Sequence, residues 1–212
     1  MSTSRRSRPS SEIRATKRYY DSHANEWTAR KTNSFHHEAE FTRLASLLRN
    51  GSEVLDIGCA GGILVPLFLG IGRHLRYTGL DISESFLKIA RRRYPRLRFL
   101  RGNIADAKTL PKKKFDGFVA AAVLMHVPRD LWDETFHNIE RLMRPGAVGY
   151  LTLPVEHPSG DRKHTDPRHF TLVSETEQRA YLRDRGWTIL KRSKLKGFIG
   201  DELWRGYIVK LS

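Results

Sequence analysis

Two stretches of the chain carry residues whose types and spacing could do chemistry. The first is Val54-Leu55-Asp56-Ile57-Gly58-Cys59-Ala60-Gly61-Gly62, an apolar run that breaks into glycines. A buried strand ending in such a turn accepts unusual backbone angles and brings main-chain N–H groups close to a ligand. The second is Asp81, which closes the next apolar run, Tyr77-Thr78-Gly79-Leu80. A carboxylate there is placed to accept both hydroxyls of a ribose. A glycine turn with an acid about 20 residues on is the arrangement of a nucleoside-cofactor site. The dinucleotide pattern G-x-G-x-x-G is not met, because Ala60 follows where a glycine is needed. No Lys-Ser/Thr follows the glycines, which argues against a phosphate-binding P-loop.

These residues need a scaffold, and the pattern of the chain predicts one. Strands are expected near 53–57, 76–80, 97–101, 115–121 and 147–152, alternating with helices near 62–72, 83–94 and 130–143. Such alternation specifies a parallel sheet with helices on both faces. Two helices near 11–31 and 34–49 precede it, the second ended by Asn50-Gly51 and the last core helix by Pro145-Gly146. After a polar, irregular segment from Pro154 to Phe170, a helix near 174–185 and strands near 187–194 and 203–211 are expected. The two strands flank Lys196-Gly197-Phe198-Ile199-Gly200 and should pair as a hairpin.

The motifs, in order and spacing, resemble class I S-adenosylmethionine-dependent methyltransferases. Asp56-Ile57-Gly58-Cys59-Ala60-Gly61-Gly62 is similar to the family's first motif, with Ala60 at its middle glycine. Asp81 matches the ribose-binding acid. Arg101-Gly102-Asn103-Ile104 matches the adenine-contacting segment, with Asn103 where Asp is frequent. Phe115-Asp116-Gly117-Phe118-Val119 is similar to the fourth strand and Leu142-Met143-Arg144-Pro145-Gly146-Ala147 to the entry of the fifth. Val123-Leu124-Met125-His126-Val127 is similar to the segment over the transferred methyl. Arg18-Tyr19-Tyr20-Asp21 through Ala24 and Trp27 is similar to an N-terminal flap. The resemblance covers roughly residues 18–190.

What the resemblance implies is a Rossmann-like α/β sandwich of three layers. Its sheet is mostly parallel and seven-stranded, with a C-terminal antiparallel hairpin. The implied cofactor is S-adenosylmethionine. The residues expected around it are Tyr20, Asp56, Gly58, Cys59, Ala60, Gly62, Asp81, Ile82, Asn103, Ile104 and Ala121. Cys59, the only cysteine, reads as a small turn residue.

The acceptor side is less determined. Methyl transfer is a displacement at a sulfonium carbon, so the protein must mainly align the nucleophile and exclude water. Residues 120–123 read Ala-Ala-Ala-Val, without the Asn/Asp-Pro-Pro-aromatic motif of adenine or glutamine N-methylation. Cys59 lies in the cofactor turn and cannot activate a pyrimidine. No metal site is expected, since Asp130 and Asp133 read as helix-start residues. His126 is the candidate for orienting or deprotonating the acceptor. Tyr19, Trp27, His164, Arg168 and His169 are candidates for the acceptor pocket and its lid. The leading expectation is a small-molecule, lipid-like or sugar acceptor. An RNA acceptor and a non-catalytic cofactor-binding partner subunit remain alternatives.

Composition sets the outer limits. The 212 residues can bury one core, so a basic tail over 1–10 and a single domain over 11–212 are expected. Within that domain, 11–50 reads as a flap, 51–152 as the cofactor-binding core and 153–212 as acceptor loop and hairpin. No run approaches the roughly 20 apolar residues of a membrane span. The N-terminal stretch lacks the apolar core of a secretory signal, and one cysteine excludes an intramolecular disulfide, which favours a cytoplasmic protein. The net charge of +15 suggests weak, non-specific nucleic-acid contact at most, because the basic residues are scattered over several elements.

Overall fold

A computed structural model of the chain describes residues 10–31, 38–72, 74–155, 166–196 and 203–212. The expected tail over 1–10, apart from Ser10, the candidate His164 and the 197–200 link lie outside the described residues.

Seven strands form one sheet: β1 (Glu53–Ile57), β2 (Arg76–Asp81), β3 (Arg98–Arg101), β4 (Phe115–Ala120), β5 (Met143–Pro154), β6 (Thr188–Lys196) and β7 (Leu203–Lys210). Their spatial order is β3-β2-β1-β4-β5-β7-β6. β1 to β5 are parallel, whereas β7 runs antiparallel between β5 and β6. The seven-stranded mixed sheet and its terminal hairpin are as expected. Parallel strands buried on both faces read as continuous apolar runs, which is why Val54-Leu55 and Phe118-Val119 were legible. The order reverses between β1 and β4. Ligands in such sheets bind at that switch point, beyond the carboxyl ends of the strands.

Helices cover both faces. α3 (Glu38–Ser46), α4 (Val65–Gly70) and α5 (Glu84–Arg93) lie on one, where Phe41, Leu44, Val65, Phe68 and Leu87 pack on Val54, Val119 and Tyr150. α6 (Trp132–Leu142) and α7 (Glu175–Asp184) lie on the other, where Trp132, Phe136, Ile139 and Leu182 pack on Leu55, Phe118 and Tyr207. α5 is capped by Ser83, whose Oγ accepts from the Phe86 N–H, satisfying a donor that the first turn leaves free.

Four boundaries differ from expectation, each for a local reason. The helix expected over 11–31 is two, α1 (Ser11–Ser22) and α2 (Ala24–Lys31), with His23 closing the first by its N–H to the Tyr19 carbonyl. The second N-terminal helix, expected from 34, is described from Glu38 and stops at Ser46, short of Asn50. The helix after the glycines starts at Val65, not 62, because Gly62 sits at φ +75 and Pro66 fits the first helical turn. β5 runs longer than 147–152, since Met143 pairs with Phe115 before a bulge around Gly146 at φ +73 restores pairing from Val148.

Candidate active site

The glycine turn folds onto the end of β2. The N–H groups of Gly58 and Cys59 both donate to the Leu80 carbonyl, and the Ala60 N–H donates to Asp81 Oδ2 at 2.9 Å. Asp81 Oδ1 accepts from the Ser83 N–H at 2.8 Å. The buried Asp81 therefore ties the turn to the start of α5. Each oxygen keeps a second lone pair, so a diol can still be received. Burial pushes the Asp81 carboxyl up to about 6, against the amide hydrogen bonds that lower it.

Asp56 lies beneath the same turn and is fully buried. Tyr77 donates its hydroxyl to Asp56 Oδ2 at 2.8 Å, and Oδ1 has no partner. Burial pushes this carboxyl up to about 7, and the nearby Asp81 adds to the rise. The Cys59 thiol faces Gly79, where an added Cβ would come within 2.7 Å of Sγ, so only the Cys59 backbone belongs to the turn. Asn103 accepts from the Ala105 N–H through Oδ1, shaping the loop after β3, and Ile104 is buried in the core. Ile82 packs, half-buried, beside it.

The glycines admit side chains as well as a ligand. A Cβ on Gly58 would fall 2.6 Å from Val123, and one on Gly61 would fall 2.5 Å from Thr28 Oγ1. Val123 belongs to the segment after β4, which turns at Ala122 (φ +54) just beyond Ala121. Thr28 belongs to α2. Both the N-terminal helices and the fourth-strand loop are thus seated on the glycine turn. Asp21 of α1 adds a third tie by accepting from Ser83 Oγ at 2.6 Å.

On the other side of the turn stands His126. Its Nδ1 lies 2.7 Å from the His169 carbonyl and its Nε2 lies 2.8 Å from the Tyr20 hydroxyl. A carbonyl can only accept, so Nδ1 carries the proton and Nε2 accepts from Tyr20. Burial holds the imidazole neutral, with its pKa lowered to about 4. Burial likewise pushes the Tyr20 phenol up to about 12, against the pull of Arg168. Arg168 Nη1 donates to the same phenol oxygen at 3.1 Å.

Arg168 is itself enclosed. Its guanidinium lies 4.8 Å from the Tyr19 ring, 5.4 Å from Trp27, 5.6 Å from Tyr20 and 5.0 Å from Phe170. Asp166 grips it by three hydrogen bonds, from Nε to both carboxylate oxygens at 2.9 and 3.2 Å and from Nη2 at 2.6 Å. The N–H of His169 donates to Thr16 on α1, and its ring meets Thr171. The structure therefore brings Tyr19, Tyr20, Trp27, His126, Arg168 and His169 together. Sequence reasoning missed Asp166, Phe170, Thr28 and Tyr77. The pair Asp166-x-Arg168 was a signal for the first, while Thr28 and Tyr77 left none.

Comparison with known proteins agrees with this architecture. A family model described as a methyltransferase domain matches residues 54–146. A probable S-adenosylmethionine-dependent methyltransferase of Mycolicibacterium smegmatis is 31% identical over 157 residues, 72% of this chain and 58% of that protein. A ubiquinone biosynthesis O-methyltransferase of Aromatoleum aromaticum is 32% identical over 124 residues, 55% of this chain and 51% of that protein. The chain thus spans between half and three-fifths of these relatives. The crystal structure of magnesium protoporphyrin IX methyltransferase from Synechocystis, with bound S-adenosylhomocysteine, superposes with a TM-score of 0.73 at 18% identity, over 95% of this chain and all of that one. A domain of this kind takes S-adenosylmethionine as its cofactor. With the glycine turn and Asp81 at the end of β2, the matched domain is of the class I S-adenosylmethionine-dependent methyltransferase kind.

Proposed function

We propose that the chain transfers the methyl group of S-adenosylmethionine to an acidic oxygen, carboxylate, phenol or enol, of a small-molecule acceptor. The residues fit the cofactor. Asp81 would hold the ribose diol, and the orphaned Asp56 Oδ1 lies beneath a turn with no basic partner of its own, where a cationic ligand is welcome. Ile82 and Asn103 would bound the nucleoside side, and Tyr20 and Ala121 the methyl side. When bound, the cofactor supplies an electrophilic methyl on a good leaving group.

The observation that carries the acceptor reading is the contact between Tyr20 and His126. With Nδ1–H fixed on the His169 carbonyl, Nε2 can take the Tyr20 proton while the phenol oxygen takes one from an acceptor hydroxyl. Arg168 holds that oxygen in place. An imidazole whose pKa lies near 4 is a weak base, so the pair serves an oxygen that ionises readily better than a sugar hydroxyl. Tyr19, Trp27 and Phe170 supply an apolar wall that excludes water. The O-methyltransferase among the relatives supports an oxygen acceptor, and the small residues after β4 leave room for one.

The test is incubation with isotopically labelled cofactor and panels of carboxylates, phenols, aliphatic alcohols and amines, read by mass spectrometry. Methyl esters or aryl ethers are expected. Products confined to the amines or the aliphatic alcohols would overturn the acidic-oxygen assignment.

A further inference from the structure

Basic residues from two neighbouring elements meet along one groove of the fold. A groove of about 670 Å³ runs between α7 and β6. Four of its nine lining residues are basic, Arg179, Arg183, Lys191 and Arg192, and none is acidic. Arg192 pairs with Glu175 at one end, at 2.7 Å. Arg179, Arg183 and Lys191 have no ion pair among the described residues. Glu175 offsets part of this charge, since Arg179, Arg192 and Arg205 all bear on it, and the net positive charge that remains faces the groove, where a polyanion gives up counterions in exchange for direct contacts.

The groove is remote from the cofactor turn. β6 is the last strand of the sheet, four steps from β1, or about 19 Å at the usual strand spacing. Thr188 pairs with Lys210, which also pairs with Val148 in the middle of β5, and Arg192 pairs with Tyr207, which pairs with Leu151, so the groove runs along β6 from the middle of β5 toward its carboxyl end. The separation from the cofactor site is therefore lateral, across the strands between β1 and β6.

The shape of the groove selects among anionic partners. The open edge of β6 could in principle add an acidic peptide as a further strand. However, register slips between Ile189 and Lys191, leaving Leu190 in a bulge, and basic side chains follow. Bulges and lysines are devices that block edge pairing. A flat anionic membrane does not fill a cleft between a helix and a strand. A nucleic-acid strand does. Arg179 and Arg183 stand one helical turn apart on α7, about 6 Å along the axis, comparable to the step between successive phosphates.

We propose that the α7–β6 groove docks the phosphate backbone of single-stranded RNA, independently of the methyl-transfer site. Arg179 and Arg183 are its principal contacts, and Lys191 closes the opposite wall.

The test is fluorescence anisotropy with a labelled mixed-sequence RNA 20-mer across a salt series. Arg179→Glu/Arg183→Glu should bind at least tenfold more weakly. Its slope of log K against log salt should shrink by about 1.4, since two single-strand phosphate contacts are lost. A control, Arg92→Glu/Arg96→Glu, changes net charge equally at the exposed end of α5 and should stay within about threefold of the parent. Melting and S-adenosylhomocysteine binding should be unchanged in both variants. Equal losses in the two variants would show that binding follows net charge alone and overturn the groove. Preference for phosphatidylserine vesicles or polyglutamate over RNA at matched charge would overturn the nucleic-acid assignment.

Discussion

The Tyr20 hydroxyl donates to His126 Nε2 at 2.8 Å, joining a flap helix to the loop after the fourth strand across 106 residues of sequence. The contact decides which protein atom meets an acceptor. Both nitrogens of His126 are occupied, whereas the phenol oxygen, which donates to His126 and accepts from Arg168, keeps one lone pair for an acceptor proton. Residues acting as one unit give non-additive losses when removed. His126→Gln and Tyr20→Phe are each expected to lower kcat by about 100-fold. The double variant should be little worse than either. Cofactor affinity of His126→Gln, measured by calorimetry, should stay within about threefold. A double variant whose loss is the product of the two singles would separate the residues mechanistically.

Cofactor binding should depend on pH. Asp56 and Asp81 are raised to about 7 and about 6 by burial, so both hold protons in the folded state at pH values where the unfolded chain has released them. Their contribution to stability is full below about pH 4 and is lost as pH rises through 6 to 7. His126 acts oppositely, since its depressed value means stability lost as pH falls from about 6.5 towards 4. The two acids outnumber the one histidine, so the free protein should melt at lower temperature at pH 7.5 than at pH 5.5. A cationic cofactor favours the ionised carboxylates. The rise in Tm caused by S-adenosylmethionine should therefore be larger at pH 7.5. In Asp56→Asn that difference should shrink. Equal cofactor-induced shifts at both pH values, in parent and variant, would remove Asp56 from the cofactor's surroundings.

The strands were legible because burial on two faces leaves runs such as Val54-Leu55 and Phe118-Val119 that no polar residue interrupts. Turns were legible where glycine takes positive φ, as at Gly58 and Gly62. The cofactor-side candidates came from motif order. The break at His23 was not legible, because Ser22-His23-Ala24 holds no glycine or proline and the helix is closed there by the His23 N–H and ring on the Tyr19 carbonyl. The irregular segment was expected to form a lid, but its individual contacts were not legible. Arg168 meets Tyr20 across 148 residues, and only the fold brings a loop after β5 onto a helix before β1. Tyr77 is similarly silent in sequence, being one more apolar-looking position of β2 until its hydroxyl is seen on Asp56.

Arg168 should hold the flap down. Its guanidinium rests on four rings and pairs with Asp166, whose side chain is 33% exposed, so the ion pair itself is partly screened. Desolvated cation–π contact is worth about 2 kcal/mol. Arg168→Ala should lower stability by about 1–3 kcal/mol in urea titration. Arg168→Lys keeps the charge but loses the planar fork, and should recover less than half of that. Limited proteolysis within α1 and α2 should be faster in both variants. Unchanged protection of that stretch would show that the aromatic enclosure does not fasten the flap.

Gly61 tests whether flap and cofactor turn are packed as one piece. A methyl group there would stand 2.5 Å from Thr28 Oγ1 and 2.7 Å from Thr28 Cγ2, closer than real contacts allow. Gly61 has no positive φ, so the backbone itself tolerates alanine. The strain is therefore steric and comes from α2. Thr28 is buried and its Oγ1 donates to the Ala24 carbonyl, so it cannot simply rotate to solvent. Overpacking of this kind costs about 1–3 kcal/mol. Gly61→Ala should lose that much stability and expose the flap to proteolysis. Thr28→Ala removes both offending atoms, and Thr28→Ala/Gly61→Ala should be more stable than Gly61→Ala alone. Such rescue is a coupling between two residues in contact, measurable by a double-mutant cycle in urea. Purely additive losses would mean that α2 does not rest on the glycine turn in solution.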